Sequence, residues 1–385
     1  MPATAYTPTT TQPITNYIPV LETAASGVAR FDHNPTTFES LGLLIEESRT
    51  NLVTYSEQFD NAAWTKTNAT ITANTIVAPD GTLTGDKFIA NTVNTNHTVS
   101  QAISHTTGTS YTLTCFYKAA EVSFASLTFA AGFTGTQMNA FYDLSTGVTT
   151  SSTATITPVG NGWYRCSFTI TATATASSNV QIRLAASSTS ATFAGNDFDG
   201  AYIWGAQLEA GAFATSYIPT VASQVTRAAD AASMTGTNFS SWYNQAEGTW
   251  YSESIIARQP AAAVQTITVS DGTTSNFLDI RYRATGGVGG VITTLGVTQY
   301  NNTSGSVIAA NFLVKDCLAF ATNNVGESTS GLSVVTDTSV ILPIVDRAFI
   351  GCSATGITSF LNGTIKKLAY YPLRLINTNL QALTS

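Results

Sequence analysis

From residue 51 to about 220 the chain alternates apolar and polar positions with a period of two. Tyr111, Leu113, Cys115 and Tyr117 alternate with Thr112, Thr114 and Phe116. Tyr164, Cys166, Phe168 and Ile170 alternate with Arg165, Ser167 and Thr169, and Val180, Ile182, Leu184 and Ala186 with Gln181, Arg183 and Ala185. Side chains on a strand point to opposite faces in turn, so each run predicts a strand with one buried face. Turn residues separate the runs at Pro79-Asp80-Gly81, Ser145-Thr146-Gly147 and Asn161-Gly162. Six or more such strands in about 170 residues predict a two-sheet sandwich.

The second half repeats the pattern with different content. Strands are predicted at 248–257, 264–270, 276–283, 312–320, 332–336, 347–352 and 364–371. Asn362-Gly363 is a strong hairpin-turn signal. Gly286-Gly287-Val288-Gly289-Gly290 predicts a flexible loop, and with no helix behind it this is not a phosphate cradle. Ile376 to Leu383 is the one plausible helix. Ahead of both units, Pro35 and a Thr pair break any helix, so 29–52 reads as strand, turn, strand. The predicted class is all-β: an N-terminal extended arm (1–50), a sandwich (51–220), a linker (221–230) and a second, jelly-roll sandwich (231–385).

One stretch repeats. Ser216-Tyr217-Ile218-Pro219 precedes Val225-Thr226-Arg227, as Asn16-Tyr17-Ile18-Pro19 precedes Val28-Ala29-Arg30-Phe31-Asp32. Both read as extended tethers stiffened by proline. The first 28 residues are expected to form a docked arm. Met1 to Leu21 has no Lys or Arg and no apolar core stretch, so it lacks an ordinary secretion signal.

Composition narrows the partners. Only 10% of the 385 residues are charged while 43% are hydrophobic, which disfavours disorder. A net charge of −7 without a basic patch argues against nucleic acid, and no run approaches the roughly 20 apolar residues of a membrane helix. A weakly charged, Thr-rich surface suits neutral partners such as glycans or other protein copies. Cys115, Cys166, Cys317 and Cys352 lack zinc spacing. Buried reduced thiols are the favoured reading; disulfides Cys115–Cys166 or Cys317–Cys352 stay open.

Ala29 to Asp32, Gly42 to Leu52 and Gly205 to Asp230 resemble segments of bacteriophage virion proteins of the head-fibre or tail-fibre kind. Asn51-Leu52, Trp64, Pro79-Asp80-Gly81-Thr82, Asp86-Lys87, Tyr111-Thr112-Leu113 with Lys118, and Gly162-Trp163-Tyr164-Arg165 fit the carbohydrate-binding-module-like sandwich found in them. Glu247-Gly248-Thr249-Trp250, Asn362-Gly363-Thr364-Ile365, Tyr371-Pro372 and Leu380-Gln381-Ala382-Leu383 resemble a concanavalin A-like (laminin-G-like) jelly roll. The resemblance implies a non-enzymatic structural protein on the virion surface, assembled in the host cytoplasm. It implies partners among other virion proteins (the major capsid protein or tail components), a homotrimer, and glycan binding for adhesion. Without a heptad or collagen-like stalk, capsid decoration or a head fibre is favoured; a short tail fibre or tail adaptor is the alternative. Candidate anchoring residues are Tyr17, Ile18, Pro19, Arg30 and Phe31.

Catalysis finds little support. A polysaccharide-degrading enzyme needs two carboxyls about 5 Å apart for retaining chemistry, and Glu253 has no carboxylate two residues on. Asp197 and Asp199 read first as a turn, with a structural calcium as the remaining role; no cofactor is expected. His33, His97 and His105 fit no triad or metal spacing. Aromatic rings can stack on sugars. Trp163, Trp204 and Trp250 read as core, whereas Trp64 is loop-like and, with Asn96 and His97 of a polar loop, is the candidate glycan contact.

Overall fold

The computed structural model describes residues 21–303 and 309–385. The chain is built almost wholly from antiparallel strands arranged as two sandwiches. In the first, one six-stranded sheet runs in the order Val148–Thr149, Met138–Asp143, Phe124–Phe129, Ala176–Ala185, Thr98–His105, Thr65–Thr67. It faces a second, ordered Ala154–Gly160, Trp163–Thr171, Ser110–Lys118, Gly200–Ala210, Gly85–Ala90, Ala69–Ile76. Leu113, Cys115, Tyr117, Cys166, Phe168, Val180, Ile182 and Leu184 meet between the sheets, as their alternation predicts. All four cysteines are buried and free. Cys115 and Cys166 are register partners on neighbouring strands without being bonded.

Ser110–Lys118 departs from the one-face expectation, because it is buried on both sides. The segment after Ala210 folds back over the outer face of its sheet. There Tyr217 lies 4.8 Å from Trp204 and 5.9 Å from Phe116, ring centre to ring centre, and Trp163 and Ala78 complete a small second core. Ile218 is buried. The expected tether is therefore a cover for the sheet, and its apolar residues stabilise it in that position.

The second sandwich differs from expectation in where it begins. Its seven-stranded sheet runs Phe31–His33, Ser40–Ile45, Gly363–Tyr371, Glu247–Ile256, Val314–Ala321, Val325–Thr329, Val335–Asp337. The strand–turn–strand of residues 29–52 thus forms as predicted, but 31–45 belongs to the second sandwich and is not a free arm. Leu43 pairs with Ile365 and Ile45 with Gly363, and Ile45 is 1% exposed in that core. Gly42 makes the approach possible: at φ +100° a Cβ there would lie 2.2 Å from the Ile365 carbonyl oxygen. The facing sheet runs Ala232–Thr235, Arg347–Ile350, Val264–Ser270, Phe277–Tyr282, Val288–Thr294, Val297–Asn301.

Two turn readings are corrected. Gly289 and Gly290 lie inside the buried strand Val288–Thr294, not in a flexible loop. A Cβ on Gly289 would stand 2.5 Å from the Asn302 carbonyl oxygen and one on Gly290 2.9 Å from Leu318, so these glycines admit close packing. Asn362 has a positive φ of 51°, yet no hairpin forms. Gly363 opens a strand whose backbone leaves no room for a side chain, with the Ile255 carbonyl oxygen 2.0 Å from an added Cβ. The C-terminal helix forms over Asn377–Thr384, with Leu380 buried against Tyr251, Cys317 and Ala319.

Candidate functional site

The segments that carry the virion-protein resemblance meet in one polar junction. Val225–Arg227 pairs with Arg49–Asn51, so part of the expected linker is a strand. Beside it, Glu46 and Asp230 exchange backbone contacts: the Glu46 amide donates to Asp230 Oδ2 at 2.8 Å and the Asp230 amide to the Glu46 carbonyl at 2.9 Å. Arg30 reaches the same pair, ion-paired to Glu46 at 2.9 Å and to Asp230, and donates to Ser216 Oγ at 2.9 Å. Arg227 closes the cluster 3.4 Å from Glu46, and the Ser216 amide donates to Glu46 Oε1 at 2.8 Å. Burial disfavours the Glu46 carboxylate, but Arg227, Arg30 and Ser216 together outweigh it and hold its pKa below 4.5.

Asn51 is the second fixed point of the junction. Its fully buried carboxamide donates to the carbonyls of Ala206 (3.1 Å) and Ile218 (2.8 Å) and accepts from the amides of Val53 (3.2 Å) and Leu208 (3.1 Å). Gln207 accepts from the Ile218 amide at 2.6 Å and donates to the Ser216 carbonyl at 3.3 Å. Two side-chain amides thereby satisfy the irregular backbone that covers the sheet.

The residues singled out from sequence are dispersed. Trp64 is 1% exposed, packs 5.2 Å from Phe59 in the first core and donates its indole N–H to the Tyr55 carbonyl at 2.9 Å. It is a core residue, not a surface platform. His97 is fully buried, its ring nitrogens against the carbonyls of Asn68 (2.6 Å) and Phe193 (2.9 Å). Asn96 is half-buried and pairs with Thr192 in a two-stranded ribbon. The polar loop is thus drawn inward, with the imidazole set between two backbone carbonyls. Arg30 serves the junction described above. Phe31, 62% exposed, lies on the edge strand of the seven-stranded sheet. Tyr17, Ile18 and Pro19 lie outside the described residues. Asn196 to Asp199 form the expected turn, with Asn196 bonded to Asp199 at 2.8 Å.

Two features were not singled out. Asp316 and Glu327 face the second core from adjacent strands, 1% and 0% exposed. Burial, and for Asp316 the Glu327 charge, push both acids above the usual carboxylate range. Glu327 accepts from the Gly290 amide at 2.5 Å and Tyr300 OH at 3.0 Å. A signal was present: Asp316 is in phase with Val314, Leu318 and Phe320.

The other is the outer face of the sheet containing Ala176–Ala185. In register across it stand Thr98, Arg183 and Ser126, then Ser100, Gln181, Thr128 and Asn139. Gln137 lies just before the edge of this row. Thr128 Oγ1 donates to Asn139 Oδ1 at 2.9 Å and Gln137 Nε2 to the same oxygen at 3.0 Å. The face carries hydroxyls and amides around Arg183, with Phe141 in register beside Ser126 and with Phe124 and Asp143 in the next row; Ser126 and Thr128 are fully buried, Gln181 and Asn139 half-buried and Gln137 exposed. Alternation set Gln181 and Arg183 opposite the apolar face of their strand, but it could not show which residues stand beside them.

No protein-family model matches the chain, and no curated protein does. Among solved structures the chain is similar to the CBM40 of a Ruminococcus gnavus IT-sialidase bound to alpha2,3 sialyllactose, at 16% identity and TM-score 0.34, over 38% of this chain and 88% of that one. It is similar to the NanB sialidase of Streptococcus pneumoniae at 14% identity and TM-score 0.33, over 40% of this chain and 27% of that one. It is also similar to a toad ovary galectin in complex with thio-digalactose at 9% identity and TM-score 0.26, over 36% and 97%. At these identities and TM-scores the likenesses carry no argument about ligand or activity.

Proposed function

We propose that this chain is a structural protein of a bacteriophage particle surface, as a capsid decoration or head fibre, and that its first sandwich binds saccharide for adhesion. The observation that carries the binding role is the face around Gln137, Gln181 and Asn139, whose accessible amide donors and acceptors match a polyol. The display role is supported by the resemblance segments, which converge on the Glu46–Asp230 junction and hold the two sandwiches together. Edge residue Phe31 is available for contact with another virion protein.

Two experiments test the reading. A glycan array probed with the full chain should return binders that the double variant Gln181→Ala/Asn139→Ala loses; an array silent at millimolar sugar overturns the binding role. Particles assembled with a chain lacking residues 1–28 should lack the protein while its melting temperature is unchanged. Normal incorporation of that chain overturns anchoring through the N-terminal segment.

A further inference from the structure

Arg183 is 4% exposed, and among the described residues no other arginine or lysine is fully buried. It forms no ion pair there; Arg165, Arg258, Arg283 and Arg374 also form none, but those four are half-buried or exposed. Neither 1–20 nor 304–308, outside the description, contains an Asp or Glu. Its Nη2 donates only to neutral carboxamide oxygens, of Gln137 at 3.2 Å and of Gln181. Its Nε is buried without a partner. Burial lowers the guanidinium to about 10, which leaves it charged at neutral pH. A buried charge without a counter-ion is costly, and a glutamine or methionine would fill the space more cheaply.

We propose that this face binds a carboxylate-bearing saccharide, with the carboxylate displacing the Gln137 and Gln181 amides from Arg183. The inference rests on the reading of the face as a saccharide surface. Gln137 is exposed at the sheet edge and is otherwise held only by its bond to Asn139, so it can swing aside at the loss of one neutral hydrogen bond and of the one from the guanidinium, which the carboxylate replaces. A carboxylate in its place forms charge-assisted bonds to a planar donor fork. In register with Arg183 stand Thr98, Ser126 and Phe141, so one guanidinium balances one carboxylate charge. A phosphate or sulfate dianion would leave charge unmatched. The half-buried Asn139 and Gln181 amides then serve the sugar ring.

The test titrates the full chain with hexuronate- and nonulosonate-containing oligosaccharides, their neutral counterparts, and acetate, sulfate and phosphate alone. Acidic sugars should bind at least tenfold more tightly than neutral ones and than the simple anions. Arg183→Gln should lose that preference while melting no lower than the parent. Gln181→Glu supplies an internal counter-ion: it should raise the melting temperature and also abolish the preference, which keeps the test valid if Arg183→Gln fails to fold. Neutral and acidic sugars binding alike, or an acid preference that survives both variants, overturns the inference and leaves the saccharide surface standing. Sulfate or phosphate binding as tightly as the acidic sugars overturns the carboxylate assignment. Absence of binding to every saccharide overturns the surface and this inference with it.

Discussion

Asn51 fixes the segment that covers the outer face of the first sandwich. Asn51→Ala strands two carbonyls and two amides that the carboxamide now satisfies in a fully buried setting. Each buried polar group left without a partner costs about 1–3 kcal/mol. With partial rescue by water entering the gap, the sum is about 3–5 kcal/mol, a large part of the roughly 5–15 kcal/mol that holds a domain folded. Asn51→Asp separates donor loss from space. The aspartate still accepts from Val53 and Leu208, but its second oxygen faces the Ala206 and Ile218 carbonyls. Ionisation there is opposed, so the folded-state pKa is raised. A raised carboxyl pKa takes stability away as pH climbs past the unfolded value and restores it as pH falls. The deficit of Asn51→Asp relative to wild type should therefore narrow from pH 8 to pH 5. Urea unfolding followed by tryptophan fluorescence reads this, since Trp64, Trp163 and Trp204 all lie in the first sandwich. An Asn51→Ala loss under about 1 kcal/mol, or an Asn51→Asp deficit that does not narrow, refutes the argument.

Three further outcomes are expected. Glu46→Gln should lose about 3 kcal/mol at neutral pH, because it leaves Arg30 and Arg227 facing a neutral amide. Glu46's pKa is depressed in the folded state, so its contribution is full above 4.5 and fades as pH falls; acid titration of the variant should show a flatter loss there than the parent. Glu327→Gln has the opposite sign: the raised carboxyl drains stability from the second sandwich as pH rises, so the variant should gain on the parent between pH 5 and pH 8 in thermal melts. Gly42→Ala should cost about 2–4 kcal/mol, since its Cβ meets the Ile365 backbone at a positive φ, and hydrogen exchange should show Ser40–Ile45 released from Gly363–Tyr371.

The polar face around Arg183 was only half visible in the sequence. Gln181 and Arg183 were assigned to the polar side of their strand, which is correct. Nothing local says that Thr128, Asn139 and Ser100 stand beside them, because strand order is set by long-range pairing. Trp64 and His97 failed for the converse reason. Their neighbours in sequence are polar, as loop residues are, while their burial depends on Phe59 and on backbone carbonyls at Asn68 and Phe193.

Alternation and turn chemistry, read along the chain, determined that it is all-β and that a short helix forms near residue 380. These are local properties: period-two burial needs only a sheet and a core, and does not depend on which strands are neighbours. Tertiary structure alone decided that residues 31–45 complete the second sandwich, that the Tyr217-Ile218-Pro219 segment roofs the first, and that Arg183 is buried without a counter-ion. Each of these rests on contacts between residues far apart in sequence, where backbone fit at Gly42, amide satisfaction by Asn51 and the charge balance around Glu46 select one pairing among many that the same pattern allows.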